Sequence, residues 1–340
     1  MNRIEKNQLT TQQKGRLALV IALAAALVAA IMGLTLGSSN ITPTAFFKAL
    51  AAKDTSSAAY RIVVHSRLPR VLGGLLAGSA FAVSGSILQA VLQNPLASPN
   101  VIGVNSGAGL LVLLCSAFFP SEDSLLPLAA FLGALLTALL IFALAMGKGV
   151  SRVALVLTGI AISSVLGAGM NCIMILYPDA YIGASNFLVG GLSTLTLKRL
   201  EFPLWYILVG FLLAMVMRRD MNIVSLGSDT ARSLGMSVTR IRFFLVMTAA
   251  LLAGAAVSFA GLIGFVGLII PHALRFLVGN DNRYLVPASI FGGAAFVVLC
   301  DLLSRMAFAP YELPVGILLS FLGGPFFIYL IIRSRRKAHD

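Results

Sequence analysis

Few side chains in this sequence could take part in chemistry, and those few lie isolated in long apolar stretches. Asp301 and Arg305 are four residues apart, and Glu312 follows shortly after. Residues four apart share one face of a helix, so the first two could form an ion pair. Acidic groups in an apolar helix could equally pass protons across a membrane. The sequence leaves both interpretations open.

The histidine and cysteine residues form no recognisable catalytic or metal-binding set. His272 has no second ligand nearby in the sequence, and Cys115, Cys172 and Cys300 each lie alone in apolar sequence. A zinc site or a disulfide framework needs cysteines at paired spacings. No grouping of Ser, His and Asp predicts nucleophilic catalysis. We therefore expect no catalytic residue and no metal ligand in this chain, and interpret His272 as structural.

A phosphate-binding loop is also missing from the sequence. The run Gly147–Gly149 lacks the GxxxxGK[ST] spacing that surrounds a nucleotide phosphate. The chain is therefore predicted not to be an enzyme and to hold no cofactor. Any ATP and Mg would be bound by a partner.

The composition places the chain in a lipid bilayer. Hydrophobic residues make up 59% of the 340 residues and charged residues 11%, and the mean hydropathy is +0.96. So little polar surface could not cover a soluble protein of this length. The net charge of +13 is divided among short loops and tails and forms no continuous basic face, which argues against nucleic acid binding.

Ten apolar runs have about the length that an α-helix needs to cross the hydrocarbon core. They are Leu17–Leu36, Val71–Leu92, Val101–Phe119, Leu125–Met146, Val153–Tyr177, Phe202–Met217, Phe243–Ala260, Leu262–Val278, Leu285–Met306 and Leu313–Ile332. The sequence predicts an all-α polytopic membrane protein with a single transmembrane domain over residues 1–340. The first run is too long for a signal peptide. Only Gly261 and its neighbours separate the seventh run from the eighth, so one kinked segment is an alternative there.

The distribution of basic residues predicts the orientation. With ten spans both termini lie on one side of the membrane, and most of the 25 Lys and Arg residues fall on that side. The positive-inside rule makes it the cytoplasmic side. Residues 1–16 and 333–340 are then cytoplasmic tails, and 218–242 is the longest cytoplasmic loop.

This loop has the residues of two short helices. Ser228 or Asp229 could cap one helix and Ser237 the next, with a turn between them near Gly235. Glycine suits such a turn because it adopts the left-handed conformation that ends many helices.

One apolar stretch occurs twice. Gly74–Ala97 and Ala250–Ala273 share ten identities in 24 positions without a gap, and Pro95 aligns with Pro271. An odd number of crossings separates the copies, which predicts an inverted repeat relating spans two to five and seven to ten, as transporters use. Small residues mark both copies and predict close helix crossings. They are Gly74, Ala77, Gly78, Gly85, Ala253, Gly254, Ala256 and Gly261.

Several motifs, in order along nearly the whole chain, resemble the FecCD-type permeases of bacterial ABC importers for iron-siderophores, haem and cobalamin. They are RLPR at 67–70, QNPLASP at 93–99, GVNSGAG at 103–109, GFVGLIIPHALR at 264–275, ELPVG at 312–316 and GGPF at 323–326. The resemblance implies ten helices per subunit, a homodimer or close heterodimer around one pathway, two cytoplasmic ATPases and an extracytoplasmic binding protein. It places the chain in the bacterial cytoplasmic (inner) membrane. An iron-siderophore is the favoured cargo, with haem and cobalamin as alternatives.

The resemblance also implies three groups of site residues. The expected binding-protein docking residues are Arg67, Arg70 and Arg305. The expected ATPase coupling motif, in which Asp replaces the usual Glu, is Asp229, Thr230, Ala231, Arg232, Ser233, Leu234 and Gly235. The expected cytoplasmic gate consists of Asn94, Leu96, Val150 and Ser151.

An ion-coupled secondary transporter is the alternative function. Such carriers place ionisable groups in the membrane to couple transport to protons or sodium. Spans one to eight have no Asp, Glu or Lys near their centres, which weighs against this class. Uptake without an ATPase would support it.

Overall fold

A computed structural model describes residues 3–37, 58–145 and 152–336, and all regular structure in these ranges is helical. We number the principal helices in chain order. They are α1 Arg3–Thr35, α2 Leu68–Leu92, α3 Val104–Phe118, α4 Leu126–Ala145, α5 Arg152–Leu176, α6 Pro178–Val189, α7 Glu201–Val216, α8 Arg218–Ser225, α9 Ser228–Ser233, α10 Val238–Ala260, α11 Val266–Val278, α12 Asn282–Met306 and α13 Val315–Arg336. A four-residue helical turn, Ala58–Arg61, and a π-helical segment, Ile62–Arg67, lead directly into α2.

Each of the ten apolar runs is a separate helix, so the predicted all-α polytopic fold is confirmed. Within the described ranges seven helices are long and apolar enough to cross a membrane. Three more are apolar but shorter, namely Val104–Phe118, Val266–Val278 and Val315–Leu330.

The seventh and eighth runs are two helices, and the kinked alternative is wrong. Between α10 and α11 the chain leaves the helical conformation, with a φ of 74° at Gly261 and 65° at Phe265. The end of α6 and the segment after it supply partners for the exposed backbone groups: Gly191 N–H donates to the Ala260 carbonyl and Leu262 N–H to the Phe187 carbonyl, both at 2.9 Å. Irregular backbone at membrane depth needs such partners, because lipid offers none.

The two helices that begin the repeat copies form the centre of the bundle. Within the chain, α2 has 83% of its apolar stretch buried and α10 has 78%. They pack against each other, and Ser84 Oγ donates to the Ala249 carbonyl at 2.7 Å. α2 also packs closely on α12 and α11, where a Cβ on Gly78 would overlap the Gly293 carbonyl and one on Gly85 the Gly267 carbonyl. The predicted close crossings at small residues are confirmed at these two positions.

The aligned prolines are not structurally equivalent. The two aligned sequences are both helical as far as Ser84 in the first copy and Ala260 in the second. Beyond that point α2 continues to Leu92, whereas the second copy breaks and restarts as α11. Pro95 therefore lies in a turn and Pro271 inside a helix. The repeat holds for the helix that starts each copy and fails for the turn that follows it.

Candidate functional site: two ends of the helix bundle

A buried ionic network joins α2, α12 and the segment before α13. We call Arg67, Arg70, Asp301, Arg305 and Glu312 the arginine cluster. Arg70 contacts Asp301 Oδ1 at 3.2 Å and Glu312 Oε2 at 2.6 Å, and Arg305 Nε lies 3.2 Å from Asp301 Oδ2. The side chains of Arg70, Asp301 and Arg305 are 3–6% exposed, whereas that of Glu312 is 35% exposed. Of the two interpretations of Asp301 and Arg305, the ion pair is the one that forms.

The arginine cluster also fastens the end of α1. Arg67 Nη1 donates to the Leu34 and Thr35 carbonyls at 2.9 and 2.7 Å, and Arg305 Nη2 donates to the Gly33 carbonyl at 3.3 Å. The last carbonyls of a helix have no partner within the helix and carry partial negative charge, so cations stabilise them. The cluster therefore holds α1 against α2 and α12.

The structure brings the three predicted docking arginines together, but in a buried position. Arg67, Arg70 and Arg305 are 2%, 5% and 3% exposed, and each is bonded within the chain. Glu312 is the cluster member with the most contact with solvent. Sequence patterns could not show this, because three of the partners are backbone carbonyls of a helix more than 30 residues away.

The coupling loop, residues 218–242, turns at Gly235 as predicted, between α9 and α10. The second of these helices is not short, because α10 continues to Ala260, and a further short helix, α8, precedes α9. Gly227, with a φ of 115°, occupies the capping position before α9 that was expected for Ser228 or Asp229. Ser237 directly precedes α10, but its side chain makes no capping hydrogen bond.

Gly235 has the left-handed conformation that the sequence predicted. Its φ is 80°, its N–H donates to the Arg232 carbonyl at 2.9 Å, and the next N–H, of Met236, donates to the Ala231 carbonyl at 3.0 Å. These two bonds form a Schellman motif, in which a residue with positive φ closes the last helical turn.

Helix α9 is mostly exposed. Ala231 is its one buried residue, and the ion pair between Asp229 and Arg232, at 3.7 Å, lies in solvent and contributes little stability. Leu226 and Leu234, which flank the helix, are each 63% exposed. A groove of about 640 Å³ lies beside the helix. It is lined by Phe142, Arg232, Met236, Ser237, Val238, Thr239, Arg240 and Phe243.

Two side chains, those of Arg242 and Asn222, fix the coupling loop to the bundle. Arg242 of α10, which is buried, donates to Ser228 Oγ at 2.9 Å. Asn222 of α8 donates to Asp281 Oδ1 at 2.8 Å and accepts from the Asn282 N–H at 2.9 Å. Asp281 caps the start of α12, so α8 is attached directly to that helix. Sequence reasoning missed Asn222, because nothing in its neighbourhood signals a partner about 60 residues away.

The predicted gate residues are described only in part. Asn94 and Leu96 lie in the turn after α2, where Asn94 Oδ1 accepts from the Leu96 N–H at 2.9 Å. This Asx-type bond fixes the turn. Asn94 is exposed and Leu96 half-buried. Val150 and Ser151 lie outside the described residues.

The ring of His272 packs against aromatic side chains. Its centroid is 5.2 Å from that of Phe276 and 6.1 Å from that of Phe326, both at steep angles. Across residues 3–37, 58–145 and 152–336, no group of three or more His, Cys, Asp or Glu side chains is placed to hold a metal ion.

A multi-pass helical bundle with an exposed helical loop at one end and a buried ionic network at the other defines a membrane transport permease. Residues 23–333 match the model of the FecCD transport family. The chain belongs to this family.

Individual relatives are similar over nearly the whole chain. The Fe(3+)-citrate import system permease protein of Bacillus subtilis is 35% identical over 96% of this chain and 98% of its own length. The hemin transport system permease protein of Yersinia pestis is 37% identical over 89% and 93%. A solved inward-facing structure of a metal-chelate type ABC transporter superposes with a TM-score of 0.80 at 26% identity, covering 93% of this chain and 98% of that one. The chain is accordingly a permease subunit of an ABC importer.

Proposed function

We propose that this permease carries a ferric chelate from an extracytoplasmic binding protein into the cytoplasm. An iron-siderophore is the cargo that we favour. The named cargoes of its relatives, Fe(3+)-citrate and hemin, support iron chelates as the class. The observation that carries the proposal is the exposed helix α9, which lies where the family resemblance expects contact with an ATPase. Haem remains the nearest competing cargo.

The ATPase partners would bind α9 and its flanking residues. Leu226 and Leu234 are large apolar side chains in solvent, and such residues next to a groove are typical of protein interfaces. In this proposal ATP and Mg are bound by two cytoplasmic ATPase subunits, and this chain holds no cofactor. Closure of those subunits moves the residues 229–235, and that movement opens the pathway.

A second copy of the chain would complete the pathway. Only 11% of the apolar stretch of α5 is buried within the chain, and the exposed part includes the polar residues Ser164 and Asn171. Polar side chains in a membrane helix usually face other helices or a water-filled cavity and not lipid. We therefore place α5 at the interface of a homodimer, beside the central pathway.

The binding protein would dock at the arginine cluster. Carboxylates on its surface can form charge-assisted bonds with guanidinium groups, which favour fast and oriented association. In the isolated chain Glu312 already occupies Arg70. Docking would therefore replace the carboxylate of Glu312 at Arg70 with a carboxylate of the binding protein. In this arrangement the cluster faces outward, 218–242, 1–16 and 333–340 are cytoplasmic, and the protein lies in the bacterial inner membrane.

Transport by the reconstituted importer tests this function. The permease, its ATPase and its binding protein are placed in liposomes, and uptake of radiolabelled ferric siderophore, haem or cobalamin is measured with and without ATP. We expect uptake of a ferric siderophore that requires all three components. Accumulation by the permease alone, driven by a pH gradient, would instead support an ion-coupled carrier and reject the proposal.

A further inference from the structure

Gln93 has an unusual backbone conformation at a sensitive place. It follows the last residue of α2 and has a φ of 49° and a ψ of 38°, in the left-handed region. Residues with a side chain rarely adopt this region, and they persist there when surrounding contacts hold them. The next residues are Asn94 and Leu96, the first predicted gate segment.

The side chain of Gln93 touches two further parts of the coupling-loop end. Its Nε2 donates to the Val224 carbonyl of α8 at 2.6 Å, and its Oε1 accepts from Arg152 Nη1 at 2.5 Å. Arg152 is the first residue of α5 and directly follows Val150 and Ser151, the second predicted gate segment. One carboxamide therefore joins α8, the turn after α2 and the start of α5.

The two contacts need a carboxamide. The Val224 carbonyl can only accept a hydrogen bond and the Arg152 guanidinium can only donate one, so the bridging group must donate on one side and accept on the other. Within the described ranges no carboxylate lies within 4.0 Å of Arg152. Arg152 also lies in electrostatic range of Arg242, whose like charge repels it.

The bridge connects elements that are themselves firmly attached. Val224 is buried on α8, and Asn222 of the same helix is bonded to the start of α12. α8 reaches α9 through the short junction at Gly227. A displacement of α9 is therefore passed to α8 and from α8 to the carbonyl that Gln93 binds.

We propose that Gln93 is a positioning residue that transmits movement of the coupling loop to the turn after α2 and to the start of α5 at once. This inference rests on the proposed function, in which α9 is moved by an ATPase. While the bridge is intact, it holds the turn after α2 in its left-handed form and holds α5 beside it. When α8 moves, the bridge breaks, and the turn after α2 and the start of α5 lose the same restraint together. Coupling of this kind requires an element with two discrete arrangements, and we assign this role to the turn at Gln93.

Substitutions at Gln93 separate the role of its side chain from that of its backbone. Gln93→Glu keeps the length and the acceptor for Arg152 but turns an oxygen toward the Val224 carbonyl. Gln93→Asn and Gln93→Gly suit a left-handed residue but cannot span the two partners. In the complete reconstituted importer, we expect all three to raise the number of ATP molecules hydrolysed per chelate imported by about fivefold or more. Basal ATP hydrolysis should persist in each.

The matched control is Gln13→Glu. It makes the same chemical change on an exposed glutamine of α1 for which the structure shows no hydrogen bond. Its ATP-to-chelate ratio should equal that of the wild type. If the turn needs only a residue that tolerates positive φ, then Gln93→Asn and Gln93→Gly will also match the wild type, and the inference is overturned.

A second position keeps the test decisive if the Gln93 variants do not accumulate. Arg152→Met removes the arm toward α5 and should also raise the ratio, and combining it with Gln93→Glu should add little, because both changes break one bridge. A wild-type ratio in Arg152→Met overturns the inference. Failure of the wild-type importer to couple ATP hydrolysis to uptake would reject the proposed function itself.

Discussion

The two ends of the bundle are held by different kinds of contact. At the arginine cluster, Arg70, Asp301 and Arg305 form ion pairs out of contact with solvent. At the coupling-loop end, single side-chain bonds connect the elements, such as those of Gln93. Removing one partner of a buried ion pair strongly destabilises a protein, whereas a single exposed polar contact contributes little stability. We therefore expect the arginine-cluster end to stay fixed and the coupling-loop end to rearrange.

Of the substitutions that test this comparison, Asp301→Ala is expected to have the largest effect. The change removes the acid that Arg70 and Arg305 share and leaves buried charge uncompensated, which should destabilise the protein by about 3–5 kcal/mol. Thermal unfolding in detergent, followed by intrinsic fluorescence, measures the loss. Glu312→Ala is the matched control, because its pair with Arg70 is partly exposed and should contribute about 1 kcal/mol or less. Equal losses in the two variants would contradict the idea of a fixed end.

The second effect concerns two glycines that align in the repeat. Gly78→Ala drives a methyl group into the Gly293 carbonyl, and overpacking of this kind costs about 1–3 kcal/mol. Gly254→Ala meets the methyl of Ala134 at 3.2 Å and should cost less. The same unfolding measurement on both variants tests whether α2 is the more tightly packed helix of the pair. A larger loss for Gly254→Ala would reverse that ranking.

The third effect falls at the coupling-loop end, where we expect lost coupling with little lost stability. Gly235→Val places a β-branched residue at a φ of 80°, which costs about 1–2 kcal/mol locally and should reshape the end of α9. In the reconstituted importer, ATP hydrolysis should continue while uptake falls. Gly183→Val is the control, since Gly183 has ordinary helical geometry and open space around it. Normal uptake by Gly235→Val would argue against a role for this turn.

The smallest effect is expected at the exposed member of the arginine cluster. Glu312→Gln removes the charge that competes for Arg70, so the affinity for an acidic binding protein should rise about two- to fivefold at low salt. Surface plasmon resonance with the permease in nanodiscs measures this change. High salt should diminish the difference, because it screens exposed charges. A weaker interaction would instead indicate that Glu312 itself contacts the binding protein.

The sequence predicted the helices well because membrane spans have a strong and local signal. Ten apolar runs became ten helices, and Gly235 adopts its expected conformation because few other residue types could. The burial of Arg67 was not foreseeable, since it depends on where the end of α1 comes to lie. Gln93 was missed for a similar reason. Its left-handed backbone follows from contacts with Val224 and Arg152, which are distant in sequence.

The alignment of Pro95 with Pro271 shows the limit of a sequence match within a repeat. The small and apolar residues of the two copies align because α2 and α10 both pack closely against neighbouring helices. The segments that follow differ, because Pro95 lies in a turn after α2 whereas Pro271 lies inside α11.

The attachment of α1 joins parts of the chain that are synthesised far apart in time. Two of the carbonyls at its end are bonded by Arg67, but the third, that of Gly33, is bonded by Arg305, which comes 272 residues later. The end of α1 is therefore fully bonded only after α12 has been synthesised. A nascent chain that stops before α12 would lack this bond and the packing of α1 on α12, so α1 would be only loosely associated with the rest.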